Sequence, residues 1–286
     1  MAIVLDNITY TYGMGTPFEK TALHGISLTI ENGEFLGVIG HTGSGKSTFV
    51  QHLNGLLHPT TGTVTVNGVD ISASTEVAKK MRHKVGMVFQ YPEHQLFEET
   101  IAQDIAFGPK NLGLSADEVD ERVREAMKFV GLDYDTYAER SPFHLSGGQM
   151  RRVAIAGVVA MDPDFLVLDE PSAGLDPFGR EEIFEEIIRL HKEKGITVIL
   201  VSHNMEDISR MASRLVVLDK GRIVLDGEPM DIFNNHRDAL QAVGVDVPPV
   251  SVTMEYLREQ GINVSNRVLS VDDAVQAILE GGSHVK

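Results

Sequence analysis

The chain of 286 residues contains no cysteine. Disulfides and thiolate metal sites are therefore excluded, and a reducing cytoplasm is the simplest interpretation. Positive charge is also in short supply, because 25 Lys and Arg stand against 41 Asp and Glu and leave a net charge of −16. A field of that sign repels polyphosphate, and no basic run is long enough to form a binding groove. The composition therefore disfavours nucleic acid as a partner.

Long hydrophobic runs are absent as well. The longest apolar stretch, Val153 to Met161, is far shorter than the roughly 20 residues of a membrane-spanning helix, so we expect no such helix. Residues Met1 to Asp6 lack a basic segment followed by an apolar one, so we expect no secretory signal. The remaining composition, 42% apolar and 23% charged, is that of a globular protein with one large or two modest domains.

Short apolar runs predict an α/β architecture. Residues 35–39 form a continuous apolar run that is typical of a strand buried on both faces, and residues 165–168 and 196–201 repeat the pattern. Before the first of these runs, residues 3–30 have the character of short strands joined by turns. The alternation of buried strands with helical segments is what the α/β class requires.

A helical segment interrupts this pattern from about residue 93 to residue 160. Ser115 and Glu118 have capping-box spacing, and Val119, Val123 and Met127 follow at helical spacing. The sequence therefore predicts an inserted helical lobe within a first domain of residues 1–228.

A second, smaller region is predicted for residues 229–286, where the composition shifts. Pro248 and Pro249 are expected to separate two short helical segments, near residues 254–260 and 271–279.

A glycine-rich segment follows the first buried strand and precedes a helix. It fits the pattern G-x-x-x-x-G-K-[ST], and that structural context is the one that confirms the motif as a phosphate-binding loop. Lys46 is placed to reach the β- and γ-phosphates of ATP, and Ser47 to offer a hydroxyl to Mg²⁺. The predicted nucleotide-binding residues of this loop are Gly40, His41, Thr42, Gly43, Ser44, Gly45, Lys46, Ser47 and Thr48.

Two acids end the buried strand at residues 165–168, where ligands bind in α/β proteins. Asp169 is placed to hold the Mg²⁺ shell, and Glu170 to reach the water that attacks the γ-phosphate. A strand that simply ends in solvated acids is the alternative for this pair taken alone.

A second glycine pair opens the helix that follows residue 145. Glycines at a helix start expose backbone donors without obstruction by Cβ, which makes an anion site, although a structural cap is the alternative for an isolated Ser-Gly-Gly. The residues predicted to bind nucleotide here are Ser146, Gly147, Gly148 and Gln149.

Together with Leu145, the segment Ser146–Gln149 reads Leu-Ser-Gly-Gly-Gln. Because of this element and the motifs above, residues 3–227 resemble the nucleotide-binding subunit of an ABC transporter. The resemblance implies a P-loop ATPase core with an N-terminal antiparallel β subdomain, an inserted α-helical subdomain and a small C-terminal accessory domain. It also implies that Leu-Ser-Gly-Gly-Gln completes the ATP site of an opposite subunit, and that residues 172–176 cross to that site.

The same resemblance implies functional roles for three side chains. From the residue types alone, structural roles would be favoured for all three. Tyr12 matches the aromatic that stacks on adenine, with Tyr10 as a nearby competitor. Gln90 matches a glutamine that senses Mg²⁺ and the attacking water, and His203 matches the γ-phosphate histidine. The predicted catalytic residues are thus Glu170, His203 and Gln90, and the predicted metal site consists of Ser47, Gln90 and Asp169.

A narrower resemblance rests on residues 90–97, residues 104–109 and Asn111. This region is similar to that of the ATPase subunits of energy-coupling factor transporters, which take up vitamins and other micronutrients. The C-terminal region of residues 229–286 also fits this group, and the resemblance implies that this region helps to pair two ATPase subunits. The expected partners are a second ATPase subunit (a copy or a paralogue), a transmembrane coupling subunit and a substrate-binding membrane component. The expected location is the cytoplasmic face of the cell membrane, as a peripheral protein.

Three other interpretations stay open from the sequence. The chain could serve another ABC importer, or it could be a soluble ABC-type ATPase acting on nucleic acid or ribosomes. The acidic balance and the lack of a long coiled-coil insertion argue against the latter. A module that binds ATP without hydrolysing it is the third, and the presence of Lys46, Asp169, Glu170 and His203 argues against it.

Overall fold

A computed structural model of the chain describes residues 1–265 and 267–282. None of the helices within these residues is long and apolar enough to cross a membrane. The strands are β1 (Ala2–Tyr12), β2 (Lys20–Glu31), β3 (Phe35–Ile39), β4 (Thr61–Val66), β5 (Val69–Asp70), β6 (Val85–Val88), β7 (Phe165–Asp169), β8 (Thr197–Val201), β9 (Arg214–Asp219) and β10 (Arg222–Gly227). The helices are α1 (Lys46–Leu53), α2 (Glu76–His83), α3 (Ile101–Asn111), α4 (Ala116–Phe129), α5 (Tyr134–Tyr137), α6 (Gly147–Val159), α7 (Pro177–Lys194), α8 (Met205–Met211), α9 (Pro229–Asn235), α10 (Arg237–Ala242), α11 (Pro249–Glu259) and α12 (Val271–Gly282).

The central sheet has six strands in the order β10-β9-β3-β8-β7-β6. Its neighbours pair in parallel except β10, which forms an antiparallel hairpin with β9. Strands β3, β7 and β8 are buried along their whole length, as their continuous apolar runs predict. Because these strands are parallel, their carboxyl ends meet at one edge of the sheet, and the functional residues follow there. The predicted α/β class is confirmed.

The second sheet is antiparallel, with the order β2-β1-β4-β5. Its side chains share a core with α1 and one face of the central sheet, whereas the helical lobe packs on the other face. Alternation along β3 illustrates the arrangement. Leu36 and Val38 join the core shared with the second sheet, whereas Phe35 and Ile39 join the core shared with the helical lobe, which we call the main core. The expected N-terminal antiparallel subdomain is therefore present.

The helical lobe consists of α3 to α6. Ser115 caps α4 in a complete capping box with Glu118, as predicted from the spacing. The apolar residues of α4 are buried against the lobe, including Val119, Val123 and Met127.

The C-terminal region begins with two helices, α9 and α10, that the sequence analysis did not predict. Their residues Ile232, Phe233 and Leu240 are buried in the main core, whereas α11 and α12 form a separate small cluster around Met254.

The expectation for Pro248 and Pro249 is wrong in one respect. These prolines separate α10 from α11, because Pro249 occupies the first turn of α11, where a missing N–H costs nothing. The domain boundary after residue 228 stays a prediction, and residues 266 and 283–286 of the predicted second region lie outside the described residues.

Candidate nucleotide site

An open cleft of about 1060 Å³ lies at the edge of the central sheet where β3, β7 and β8 end. The structure brings nearly all sequence-predicted residues of one chain together in its wall. The predicted residues that line the cleft are Tyr12, Gly40, His41, Thr42, Gly43, Gly45, Lys46, Ser47, Thr48, Gln90, Asp169, Glu170 and His203.

The glycine loop between β3 and α1 depends on backbone that only glycine adopts readily. Gly40 has φ +152°, and a Cβ there would lie 2.6 Å from Oγ of Ser44. Gly45 has φ +106° and forms the N-cap of α1 without a side-chain hydrogen bond. The N–H groups of the first turn of α1 therefore lack a side-chain acceptor, which is the arrangement that binds phosphate. Ser44 Oγ is buried and has no hydrogen-bond partner among the described residues, so this hydroxyl of the glycine loop is a further donor for a phosphate.

The ammonium of Lys46 lies within the loop. Its Nζ donates hydrogen bonds to the carbonyl oxygens of Gly40 at 2.5 Å and His41 at 3.1 Å. Burial lowers the pKa of Lys46, and the carboxylates of Glu170 and Asp169 act in the opposite direction. A partly desolvated cation held by two carbonyl groups gains strongly from an incoming polyphosphate.

Asp169 and Ser47 form an oxygen pair beside the loop. Their side chains are hydrogen-bonded to each other, and burial raises the pKa of Asp169. Among the described residues no group of three or more His, Cys, Asp or Glu could hold a metal by itself. One carboxylate and one hydroxyl fit a hard cation that takes its other ligands from phosphate and water, which is the usual Mg²⁺ arrangement.

Glu170 and His203 face each other across the ends of β7 and β8. Oε1 of Glu170 lies 2.8 Å from Nδ1 of His203, and the side chain of His203 is 75% exposed whereas that of Glu170 is 11% exposed. Burial raises the pKa of Glu170 despite the contact with His203. The backbone of Glu170 has φ +53°, a left-handed conformation that is unusual for a glutamate and typical of functional sites. The pair can therefore accept and relay a proton at the cleft.

Tyr12 stands at the other end of the cleft with its orientation fixed on two sides. Its hydroxyl lies 3.0 Å from Oγ1 of Thr48, and its ring forms a T-shaped pair with the Tyr10 ring at a centroid distance of 4.7 Å. Tyr12 lines the cleft, whereas Tyr10 packs against the core shared by the two sheets. Of the two tyrosines, Tyr12 is the one with a face available to a base.

The segment Ser146–Gln149 lies outside this cleft, at the start of α6. Ser146 Oγ accepts from the backbone N–H of Gln149, and Gln149 Oε1 accepts from that of Ser146, so the segment forms a second capping box. A Cβ at Gly147 or Gly148 would meet no atom within 4 Å. The glycine pair is therefore open to approach from outside, and within one chain it does not contribute to the cleft.

The loop of residues 172–176 begins directly after Glu170. Ala173 N donates to the carbonyl of Glu170 at 3.1 Å, and the carbonyl of Ala173 accepts from Nη2 of the buried Arg151 at 3.0 Å. Asp176 then caps α7 by accepting from Gly179 N at 2.7 Å. The loop is thus attached both to the acid pair and to the helix that carries Ser146–Gln149.

Sequence reasoning missed several residues of the cleft wall. Those on β2 carry no motif. Gly221 has φ +71° and leaves no room for a Cβ against β2, and its only sequence signal is a glycine in the short turn between β9 and β10. The turn after α10 was missed with its helix, although Gly244 is a typical helix-ending signal. The unpredicted lining residues are Lys20, Thr21, Ala22, His24, Met205, Lys220, Gly221, Gly244, Val245 and Asp246.

A buried strand, a glycine loop at a helix N-terminus and an acid pair at the end of a second strand of the same parallel sheet define the class of P-loop nucleoside-triphosphate-binding proteins. A family model described as "ABC transporter" matches residues 23–173. The energy-coupling factor transporter ATP-binding protein EcfA2 of Clostridium tetani is 54% identical over 280 residues, which cover 98% of this chain and 97% of that protein. The protein of the same name from Clostridium perfringens is 53% identical, with 98% of each chain covered.

Solved structures agree with these relatives. The structure of cbiO1 from Clostridium perfringens, described as part of the ABC transporter complex cbiONQ, has a TM-score of 0.74 and 36% identity, covering 88% of this chain and 98% of that chain. A dimeric bacterial ABC transporter cassette has a TM-score of 0.70 and 31% identity, covering 79% and 98%. The chain belongs to the ABC transporter family and, within it, to the energy-coupling factor transporter ATP-binding proteins. Both levels of the resemblance seen in the sequence are confirmed.

Proposed function

We propose that this chain hydrolyses ATP as a peripheral subunit of an energy-coupling factor importer on the cytoplasmic face of the cell membrane. In that role it powers the uptake of vitamins or other micronutrients. The observation that carries the proposal is the convergence of Lys46, Asp169, Glu170 and His203 on one cleft in a chain of this family.

The glycine loop and Lys46 bind the phosphates of ATP in this proposal, and Tyr12 stacks on its base. The open N-terminus of α1 and the half-buried ammonium of Lys46 supply positive potential where the phosphates lie. The partly exposed ring of Tyr12 supplies a stacking contact with the adenine.

Ser47, Asp169 and Gln90 are the proposed ligands of Mg²⁺ or of its water shell. The bound cation would neutralise charge on the phosphates. Ser47 and Asp169 already contact each other, and Gln90 lines the same cleft, so all three oxygens are available on one side of the loop.

Glu170 orients and deprotonates the attacking water, and His203 steadies the charge that develops on the γ-phosphate. The raised pKa of Glu170 brings its basicity closer to neutral pH, where a general base is most effective. His203 contacts Glu170 while most of its imidazole stays exposed to the cleft, so it can serve both groups.

A second ATPase subunit completes the site. Ser146–Gln149 lies outside the chain's own cleft with its glycines open, and we propose that it closes over the nucleotide of that subunit, a copy of this chain or a paralogue. ATP then joins the two subunits, and hydrolysis lets them separate.

Transport requires that this motion reach the membrane. The segment that follows Gln90 exposes Tyr91, Phe97 and Phe107, and an apolar surface of this kind suits a helix of a transmembrane coupling subunit. A separate substrate-binding membrane component would select the micronutrient.

Co-purification from detergent-solubilised membranes, followed by reconstitution into vesicles, tests the proposal. We expect this chain to bring down a second ATPase chain and two kinds of membrane subunit, and the vesicles to couple ATP hydrolysis to uptake. Recovery without membrane subunits, together with ATPase activity stimulated by DNA or RNA, would contradict it.

A further inference from the structure

The exposed His203 receives its position from the short segment that follows it. Asn204 N donates to Ser202 Oγ at 3.0 Å, and the Asn204 side chain accepts from the backbone N–H of Glu206 at 2.9 Å and of Asp207 at 3.4 Å. Residues 202–207 therefore form one hydrogen-bonded unit. His203 lies between Ser202 and Asn204 in this unit, so its backbone is connected directly to the first turn of α8.

That first turn is held by an ion pair to another helix. Oδ1 of Asp207 accepts from Nε of Arg180 at 3.0 Å and also from Nη2 of Arg180. The side chain of Asp207 is 6% exposed, and its Oδ2 is buried without a hydrogen-bond partner among the described residues. Burial raises the pKa of Asp207 in spite of this pairing. Arg210 also acts on this carboxylate electrostatically, but Arg180 is the guanidinium that donates hydrogen bonds to it. A buried carboxylate held in this way follows the guanidinium of Arg180.

Arg180 occupies the first turn of α7, four residues after Asp176. The loop of residues 172–176 starts at Glu170 and ends at the cap of α7. The pair Arg180–Asp207 thus connects the helix that follows Glu170 and its loop with the helix that follows His203. The strand ends themselves are joined by the hydrogen bond from Glu170 N to Val201 O at 3.0 Å. The pair Arg180–Asp207 adds a second connection between the segments that carry Glu170 and His203, which lie 2.8 Å apart.

We infer that Arg180 is a positioning residue for ATP hydrolysis, which acts through Asp207 to hold His203 against Glu170. The inference rests on the proposed function. A second ion pair between the same two helices offers a comparison. Arg210 on α8 and Glu181 on α7 are also paired, at 2.5 and 2.6 Å, but their side chains are 45% and 46% exposed. Exposed pairs of this kind contribute little to structure.

The test measures kcat and KM for ATP in the assembled transporter. The ion pair between Arg180 and Asp207 is called the clamp below. The double variant Arg180→Leu with Asp207→Leu removes the clamp without leaving a buried charge, so the chain should fold. Arg180→Lys keeps the charge but not the two-pronged contact and provides a second variant. We expect kcat to fall roughly ten- to hundredfold in the double variant and by less in the lysine variant, with KM unchanged.

The matched control is Glu181→Gln with Arg210→Gln, which removes the exposed pair between the same helices and should leave kcat within about twofold of the wild type. In a His203→Ala background, removal of the clamp should cause almost no further loss of kcat, because both changes act on one group. Wild-type kcat in both clamp variants, or fully additive losses with His203→Ala, would overturn the inference. Wild-type kcat in His203→Ala alone would overturn both the inference and the proposed role of His203.

Discussion

Nδ1 of His203 lies 2.8 Å from Oε1 of Glu170, although the two residues belong to different strand ends. The contact holds a buried carboxylate of raised pKa next to an exposed imidazole. A general base needs this combination of basicity and fixed orientation.

The first prediction concerns Glu170. Glu170→Gln keeps the size of the side chain but removes its basicity, so ATP turnover in the assembled transporter should fall by on the order of 10²–10⁴. ATP binding should persist, and the ATP-bound dimer should accumulate in size-exclusion chromatography. Glu193→Gln, on the exposed end of α7, is the control and should behave as the wild type. Normal turnover in Glu170→Gln would contradict the assigned role.

The second prediction concerns nucleotide affinity. Lys46→Ala removes the half-buried ammonium that donates hydrogen bonds to the carbonyl groups of Gly40 and His41. Loss of its charged hydrogen bonds should weaken ATP binding by the isolated chain roughly ten- to hundredfold, as measured by isothermal titration calorimetry. Lys192→Ala near the end of α7 should leave the affinity unchanged. Unaltered binding in Lys46→Ala would mean that the phosphates lie elsewhere.

The third prediction distinguishes the two tyrosines. Tyr12→Ala should weaken ATP binding by roughly five- to hundredfold, the range expected for the loss of one base–aromatic stack. Tyr10→Leu, which removes the ring but keeps an apolar side chain, should bind normally because Tyr10 packs in the core and does not line the cleft. Titration with a fluorescent ATP analogue compares the two. The reverse pattern would assign the base contact to Tyr10.

The fourth prediction separates capping from phosphate binding at Ser146. Ser146 and Ser115 both form capping boxes, so Ser146→Ala and Ser115→Ala should each cost about 1 kcal/mol of stability. Only Ser146→Ala should also reduce ATPase activity of the assembled dimer, by roughly tenfold, while the isolated chain keeps its ATP affinity. Equal ATPase losses in the two variants would leave Ser146 as a helix cap alone.

The fifth prediction concerns the pH dependence of stability. Burial raises the pKa of Glu186 to about 7 from an ordinary value of 4.5, although Arg152 Nη1 lies 3.3 Å from its Oε1. A carboxyl with a raised folded pKa stabilises the fold fully below its unfolded pKa and loses that contribution as pH rises through its folded pKa. The free energy of unfolding should therefore fall between pH 4.5 and pH 7, by up to about 3 kcal/mol from this group.

Glu186→Gln has no carboxyl to ionise and should lose this pH dependence in urea unfolding curves recorded from pH 5 to pH 8. Glu182→Gln is the matched control, because Glu182 also contacts Arg152, at 2.6 Å, but is 39% exposed. It should keep the wild-type pH dependence. Parallel curves for wild type and Glu186→Gln would show that Glu186 is ionised throughout this range.

Much of the site was predictable because its chemistry is encoded in contiguous residues. Strand, glycine loop and helix follow one another between residues 35 and 53, so local pattern alone identifies the phosphate loop. The acid pair follows a strand whose apolar run is equally local. The predicted capping box at Ser115 rests on residues three apart and is present in the structure. A capping box is also present at Ser146, where a structural cap was the alternative to an anion site.

The helices α9 and α10 show where local pattern fails. They have seven and six residues, too few to be stable by propensity alone, and they form because Phe233 and Leu240 are buried in the main core. With these helices the turn at Gly244 was missed as well, and so was its position in the wall of the cleft.

The sequence by itself determined which chemical groups this protein carries and on which local elements they lie, since glycine tolerance, capping and strand burial depend on near neighbours. Only the tertiary structure decided that Tyr12, Gln90, Glu170 and His203 share one cleft and that Ser146 lies outside it. It also decided that Arg180 meets Asp207 and that burial raises the pKa of Glu170. Desolvation and ion pairing depend on what packs around a group, and those neighbours come from distant parts of the chain.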